Sequence, residues 1–159
     1  MSPTGRRRAR VEVRPARPED VSELVDIENA SFATDRLDRR ALRYAIRSPT
    51  ILACVAAEPE SGKVLGYALV QIRRGSAFGW LTSLAVRPDS QGGGLGRELI
   101  EAAERAAREA GRARISLEVR ADNAPARKLY EEAGYARGDE LPDYYEDGAA
   151  ALRYEKTLA

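Results

Sequence analysis

The 159-residue chain contains no histidine and a single cysteine, and both facts narrow the chemistry open to it. Without histidine, the chain lacks the commonest general base and most designs of zinc site, so we expect no metal. One cysteine cannot form an intrachain disulfide, which suits a reducing cytoplasm. Cys54 lies in an apolar run and is interpreted as a small core residue, since no base is at hand to activate it.

Long apolar runs and a strong charge imbalance are also absent. No apolar stretch approaches the length of a membrane span and the chain starts without a signal-peptide core, so we expect a cytoplasmic protein with no membrane partner. The formal net charge of +1 argues against nucleic acid as a partner. Arginines nevertheless crowd the first residues and predict a flexible basic arm over residues 1–10, or alternatively an arm that touches RNA or an acidic partner.

The hydrophobic pattern of residues 11–159 predicts one domain in which strands and helices alternate. Three strands joined by short connections favour an antiparallel meander, and the strand–helix–strand unit after it favours a parallel pair. The predicted class is α/β with a mixed sheet. In chain order we predict a strand at 11–14, helices from 18 and at 38–47, strands at 51–57, 63–73 and 77–86, a helix at 97–110, a strand at 115–119, a short helix after Asn123, and strands at 135–137 and 150–157.

A glycine-rich loop, Gln91-Gly92-Gly93-Gly94-Leu95-Gly96, separates the third strand of the meander from the long helix. A strand, a glycine turn and a helix start let backbone N–H groups and the positive end of the helix dipole converge on a phosphate. The P-loop pattern fails because Arg97 and Glu98 follow Gly96, and the dinucleotide pattern Gly-x-Gly-x-x-Gly fails as well. A flexible glycine turn without a ligand is the alternative interpretation.

What the loop fits is Gln/Arg-x-x-Gly-x-Gly/Ala, which resembles the pyrophosphate loop of the GNAT acetyltransferases. Two further blocks extend the likeness: Leu117-Glu118-Val119-Arg120 with Asn123, and Ala-Arg-Lys-Leu-Tyr-Glu-Glu-Ala-Gly-Tyr at 126–135. With Leu-Ala-Val-Arg-Pro at 84–88, these blocks are similar in order and spacing to the RimI-type ribosomal-protein alanine N-acetyltransferases. The resemblance implies the GNAT fold, β-α-α-β-β-β-α-β-α-β-β, with a central sheet whose strands splay to admit acetyl-CoA.

The resemblance also implies an activity, the transfer of an acetyl group from acetyl-CoA to a primary amine by direct attack through a tetrahedral intermediate. We expect a protein N-terminal α-amine as acceptor, since its pKa of about 8 lies well below the value of about 10.4 for lysine. A lysine side chain or a small amine is an alternative acceptor, and a non-catalytic acyl-CoA-binding module is the alternative function. A homodimer is compatible with the resemblance, because GNAT enzymes often dimerise.

Glu118 and Tyr130 are the candidate catalytic residues. Glu118 points to the opposite face of its strand from Leu117 and Val119, a pattern that a half-solvated strand also shows. In RimI-type enzymes the matching glutamate is the general base. Tyr130 carries a phenol whose ordinary pKa near 10 suits protonation of a leaving thiolate, although a core aromatic gives the same pattern.

The remaining site predictions come from the same resemblance. Asn123 also fits a helix cap, and Arg97 also fits an exposed helix arginine. For the acceptor we expect contacts from Phe32, Tyr144 and Tyr145, with a solvated hairpin loop as the alternative for the two tyrosines. The expected acetyl-CoA contacts are Leu84, Ala85, Val86, Gln91, Gly92, Gly93, Gly94, Leu95, Gly96, Arg97, Asn123 and Tyr130.

Overall fold

The computed structural model describes residues 10–158, in which the helices and strands follow the predicted order. The predicted basic arm lies outside the described residues except for Arg10. Two 3-10 turns, Pro18–Asp20 and Pro88–Ser90, accompany the main elements. The helices are α1 (Val21–Ser31), α2 (Arg39–Arg47), α3 (Leu95–Glu109) and α4 (Ala124–Glu132). The strands are β1 (Glu12–Pro15), β2 (Ile51–Ala57), β3 (Val64–Ile72), β4 (Phe78–Val86), β5 (Arg114–Arg120), β6 (Ala136–Leu141) and β7 (Ala151–Thr157).

The seven strands found within residues 10–158 belong to one sheet with the order β1-β2-β3-β4-β5-β7-β6. Its neighbours are antiparallel except β4 and β5, which are parallel because α3 connects them as a crossover. The β4–β5 ladder runs only from the pair Phe78↔Arg114 to the pair Trp80↔Ser116. Beyond those pairs the strands separate, so residues 81–86 of β4 have no partner on β5. The predicted splay is therefore present in the sheet.

Helices cover both faces of the sheet, and each pair encloses its own apolar core. On one face, Leu99 and Ile100 of α3 pack with Tyr130 of α4 in the larger core. On the other face, Leu24 of α1 and Leu42 of α2 pack against β2 and β3. A fully buried leucine stabilises the fold by about 1.5–3 kcal/mol, so the two cores hold the helices to the two faces of the sheet.

The ends of several elements differ from the sequence-based expectation for identifiable reasons. The long helix begins at Leu95 rather than Arg97, because Gly94 adopts a left-handed φ of 84° as N-cap and lets the chain enter the helix directly after it. β6 runs from Ala136 to Leu141 and is longer than predicted. Its residues are almost all exposed at the edge of the sheet, so they lack the alternation that marks a half-buried strand.

Membrane-spanning helices were not expected. Within residues 10–158, no helix combines the length and the apolar character that crossing a bilayer requires.

Candidate active site

The glycine loop and the end of β4 form one wall of a cavity of about 530 Å³, called here the loop cavity. Its other wall comes from α4 and the residues before it. Every predicted acetyl-CoA contact except Gly93 lines this cavity. They are Leu84, Ala85, Val86, Gln91, Gly92, Gly94, Leu95, Gly96, Arg97, Asn123 and Tyr130. The structure therefore brings together residues that are as much as 46 positions apart in sequence.

The conformation of the loop explains its glycines. Gly92 and Gly94 have φ values of 85° and 84°, in the left-handed region that a side chain strains. Because Gly94 is the N-cap of α3 and has no side chain, the first N–H groups of the helix receive no side-chain cap. Gln91 anchors the loop by donating from Nε2 to the Val86 carbonyl oxygen at 3.2 Å. The result is a helix N-terminus suited to an anion.

Arg97 lines the loop cavity beside this helix N-terminus. Its Nε is 3.5 Å from a carboxylate oxygen of Glu101, and Nη1 donates to the Glu132 carbonyl oxygen at 3.4 Å. Both contacts are long, and nearly half of the side chain is exposed. The guanidinium therefore remains positioned to interact with a bound phosphate.

A second cavity of about 500 Å³, called here the Glu118 cavity, opens beside the first. It lies where β4 and β5 have separated, between the α1–α2 connection and the β6–β7 connection. The two cavities adjoin, since six residues line both: Ser31, Phe32, Leu84, Asn123, Ala126 and Tyr130. A molecule in the loop cavity and a second one in the Glu118 cavity would meet at these residues.

Glu118 lines its cavity and is held by an ion pair. Arg153, its register partner on β7, donates from Nε to Glu118 Oε2 at 2.9 Å. The Glu118 side chain is one fifth exposed, so the carboxylate is reachable from the cavity. Tyr144 lies close enough for the Glu118 charge to act on its hydroxyl, whose pKa is raised by burial and by that carboxylate.

Tyr130 lies at the junction of the two cavities with its ring in the larger core. The ring packs edge-on against Tyr135 at 5.7 Å between centroids. Burial raises the pKa of the Tyr130 phenol well above its usual value, and the nearby Tyr145 adds to the effect. Among residues 10–158, none accepts a hydrogen bond from its hydroxyl. The phenol therefore holds its proton at neutral pH and has a donor available to a bound molecule.

Asn123 caps α4 and also lines both cavities. Its Oδ1 accepts a hydrogen bond from the Ala126 N–H at 3.2 Å, which caps α4. The amide nitrogen is not used by that cap, and the residue lines both cavities. One side chain thus fixes the start of α4 and presents an amide group where the cavities meet.

The predicted acceptor contacts are only partly gathered at the Glu118 cavity. Phe32 and Tyr145 line it, while Tyr144 is 48% exposed and packs edge-on against Tyr145 at 4.9 Å. Burial raises the pKa of Tyr145 to about 12. Arg120 lies over the Tyr145 ring at 5.1 Å and pairs with Asp147 at 2.8 Å, so the loop after β6 is fastened to β5.

Two acidic residues that line the Glu118 cavity were not predicted from the sequence. Glu28 is 2% exposed, accepts from the Tyr67 hydroxyl, and accepts from the Leu37 N–H at 2.7 Å. Asp35 has a φ of 55° and accepts from the Glu146 N–H at 3.3 Å, which links the two loops across the cavity. Glu28 is a charged residue on α1 and Asp35 lies in the loop after that helix, so neither has the apolar character by which a sequence pattern marks a side chain as facing inward.

Cys54 lies outside the candidate active site. Cys54 lies in a third groove, between β2 and α3, and burial raises the pKa of its thiol to about 11. A thiol with that pKa is a poor nucleophile at neutral pH. No cluster of potential metal ligands occurs among residues 10–158.

Comparison with known proteins decides the family. Residues 19–135 match the model of the acetyltransferase (GNAT) family. The chain belongs to the GNAT acetyltransferase family. It is similar to a Bacillus subtilis (strain 168) protein provisionally named a ribosomal protein bS18-alanine N-acetyltransferase, with 30% identity over 135 residues covering 85% of this chain and 87% of that protein. The Escherichia coli (strain K12) ribosomal protein bS18-alanine N-acetyltransferase is 38% identical over 86 residues, 54% of this chain and 57% of that enzyme.

Solved structures show the same relationship at the level of fold. The crystal structure of the Escherichia coli ribosomal-protein-S18-alanine N-acetyltransferase superposes with a TM-score of 0.83 at 26% identity, covering 94% of this GNAT protein and 95% of that chain. The yncA protein of Salmonella typhimurium, solved with its cofactor acetyl-CoA, gives a TM-score of 0.79 at 23% identity and covers 95% of both chains. The predicted GNAT fold and RimI-type resemblance are confirmed.

The family identifies the protein as an N-acetyltransferase that uses acetyl-CoA as co-substrate. The residues present fit that molecule. The left-handed Gly94 leaves an uncapped helix end for a pyrophosphate, and the unpaired edge of β4 at residues 81–86 leaves backbone groups for an amide-bearing arm. When bound, acetyl-CoA supplies an acetyl group as a reactive thioester.

Proposed function

We propose that this GNAT protein acetylates the N-terminal α-amine of a protein or peptide, with Glu118 as general base and Tyr130 as general acid. The observation that carries the proposal is that both groups line the Glu118 cavity, which adjoins the loop cavity at Tyr130. Glu118 lines the Glu118 cavity, and Tyr130 lines both that cavity and the loop cavity. The Glu118 cavity opens where β4 and β5 have separated. An amine entering beside Glu118 would approach a thioester held beside Tyr130.

The proton transfers balance with these two side chains. The carbon–nitrogen bond forms as the α-amine attacks, and the carboxylate of Glu118 takes the proton that the nitrogen must lose, directly or through a water molecule. The carbon–sulfur bond breaks, and the Tyr130 hydroxyl gives its proton to the departing sulfur. Burial keeps the phenol protonated, so Tyr130 enters the step with a proton to give. Neither histidine nor a reactive cysteine is needed.

The walls of the Glu118 cavity support an amine acceptor. Four carboxylates line it, from Glu28, Asp35, Glu118 and Asp147, against the single guanidinium of Arg120. Arg120 is itself paired with Asp122 and Asp147. The cavity therefore favours a cation at its mouth, which an α-ammonium group provides before it loses its proton. The relatives named for ribosomal protein bS18-alanine acetylation support a protein N-terminus over a small amine.

Acceptor choice is tested by acetyl-CoA turnover with the wild-type protein, measured as release of free thiol. The panel contains short peptides with a free N-terminus, the same peptides with a blocked N-terminus and an internal lysine, and small polyamines. We expect turnover on the free N-termini at least tenfold above that on the blocked lysine peptides. The reverse order would assign the site to lysine, and acetyl-CoA binding without turnover on any amine would favour a binding module.

Two further parts of the proposal concern the setting of the enzyme. We place it in the cytoplasm, where acetyl-CoA and nascent protein N-termini occur together and where the unpaired Cys54 stays reduced. A homodimer remains compatible with the family, and analytical ultracentrifugation of the purified protein tests it directly.

A further inference from the structure

The outer face of α2 carries positive charge that the acetyl-transfer reaction does not use. Arg40, Arg43, Tyr44 and Arg47 recur at the spacing i, i+3, i+4 and i+7 and are all exposed, with Tyr44 exposed to 65%. The opposite side of the helix, with Leu42 and Ala45, is buried. The four side chains therefore form one stripe, called here the α2 stripe, about 10 Å long along the helix axis.

The stripe differs from α3, which also carries arginines. On α3, Arg97 pairs with Glu101 and Arg108 with Glu104, each one turn apart. α2 contains no carboxylate, and across the described part of the chain no acidic side chain forms an ion pair with its arginines. Asp38, just before the helix, is occupied as N-cap by the Ala41 N–H at 2.8 Å. The positive charge of the stripe is therefore uncompensated.

We infer that the α2 stripe binds single-stranded RNA. Guanidinium groups match phosphate oxygens in a bidentate fork, and an exposed tyrosine among them offers a face on which a base can stack. A stripe of about 10 Å spans about three stacked nucleotides at 3.4 Å each. An acidic peptide would satisfy the arginines but leave the Tyr44 ring without a matching partner, which is why the aromatic favours RNA.

The α2 stripe lies close in sequence to a wall of the Glu118 cavity. α2 follows directly after residues 32–37, which form a wall of the Glu118 cavity. RNA on α2 would therefore bind to the helix that continues this wall of the cavity along the chain. The near-neutral net charge of the whole chain does not bear on this local surface.

The test is fluorescence anisotropy of a labelled twelve-nucleotide oligouridine RNA, titrated with the full-length protein at several salt concentrations. The first variant replaces Arg40, Arg43 and Arg47 with glutamine. We expect it to bind at least tenfold more weakly, with the slope of log K against log salt reduced by about 2, the value for three lost phosphate contacts on a single strand. Tyr44→Ala should weaken binding about tenfold and leave the salt slope unchanged, since stacking releases no counterions.

The matched control replaces three exposed arginines on other elements, Arg74, Arg105 and Arg137, with glutamine and so changes the net charge equally. Acetylation of a free peptide should be the same in all variants, which verifies that they are folded. The inference is overturned if the control loses as much affinity as the α2 variant, or if the α2 variant still binds RNA like wild type. It is also overturned if a labelled polyglutamate peptide binds the wild-type protein as tightly as the RNA does.

Discussion

At the scale of single residues, environment decides which groups can do chemistry. Cys54 and Tyr130 are both surrounded by apolar atoms, and burial raises both pKa values. The effect holds the thiol in its unreactive protonated form, and it holds the phenol in the protonated form that a proton donor must have before the reaction. The two residues differ in their access to the candidate active site. Tyr130 lines both adjoining cavities, one of which Glu118 also lines, whereas Cys54 lines neither.

Removal of the Tyr130 hydroxyl should slow the chemical step specifically. In Tyr130→Phe we expect kcat to fall about 10²-fold, the lower end of the range for general acid catalysis, because a thiolate leaves readily even without a proton. The KM for acetyl-CoA should change by less than about threefold, since the ring remains. Steady-state kinetics on a free-N-terminal peptide measures both.

Tyr135→Phe is the control for that change, because it removes the hydroxyl of the neighbouring ring at a position outside both cavities. An equal loss of kcat in Tyr135→Phe would mean that packing of the ring pair, and not proton donation, accounts for the effect.

At the scale of elements, the glycine loop and the splay of β4 and β5 build the site. Sequence could predict the loop, because a strand followed by clustered glycines and a helix is a local pattern. It could not predict the Glu118–Arg153 pair, which depends on the register of β5 with β7 across 35 positions of sequence. The carboxylates of Glu28 and Asp35 were missed because their placement depends on how α1 and the following loop pack against the sheet.

The conformation of Gly94 predicts a specific defect in acetyl-CoA binding. Gly94→Ala places a side chain at a φ of 84° and should reduce the free energy of unfolding by about 1–2 kcal/mol. Because relaxation of that strain moves the N–H groups at the start of α3, the KM for acetyl-CoA should rise at least fivefold.

Gly62→Ala is the matched control, since Gly62 has a φ of 76°, nothing within 4 Å of its added Cβ, and a position in the β2–β3 turn that lines neither cavity. It should show the same loss of stability by urea unfolding with an unchanged KM. A raised KM in both variants would refute a local role for Gly94.

A buried carboxylate on α3 fixes that helix to the last strand. Glu104 is 4% exposed, accepts from the Tyr135 hydroxyl at 2.9 Å, and lies 3.1 Å from Lys156 Nζ. Glu104→Gln should lower the free energy of unfolding by about 2 kcal/mol, less than the 3–5 kcal/mol for a fully buried pair because Lys156 is partly exposed. Urea unfolding measures the loss. Glu101→Gln, at an exposed position on the same helix, should change stability by less than about 0.5 kcal/mol.

At the scale of the whole molecule, the candidate active site lies where β4 and β5 separate within the sheet. Within residues 10–158, that sheet has seven strands and is packed between two apolar cores. The order of elements was predictable because hydrophobic period, turn residues and helix caps agree along the chain. The exact extent of β6 was not, because an exposed edge strand lacks that periodic signal. The family match over residues 19–135 covers both sides of the divided sheet.

Buried tyrosines make the stability of the molecule sensitive to alkaline pH. Burial is the main cause that raises the pKa of Tyr67, Tyr130 and Tyr135 above the unfolded value of about 10. Above pH 10 the unfolded chain loses these protons and the folded chain keeps them, so the free energy of unfolding must fall as pH rises.

Each such phenol contributes a slope of about 1.4 kcal/mol per pH unit once the unfolded chain ionises. Urea unfolding between pH 9 and pH 11 should show a plateau followed by a decline, and Tyr130→Phe should have a shallower decline than wild type. A flat profile to pH 11 would contradict the assigned burial of these phenols.

The central claim is that Glu118 accepts the proton of the attacking amine, and one measurement tests it most directly. We would compare kcat/KM on a free-N-terminal peptide for wild type, Glu118→Gln and Glu155→Gln, with acetyl-CoA affinity determined separately by calorimetry. Glu155 is the control because it lies on β7 opposite Ser116, paired with Arg114 and outside both cavities. The account predicts a fall of about 10²–10⁴-fold for Glu118→Gln alone, with acetyl-CoA affinity unchanged. A Glu118→Gln enzyme within about threefold of wild type would contradict it.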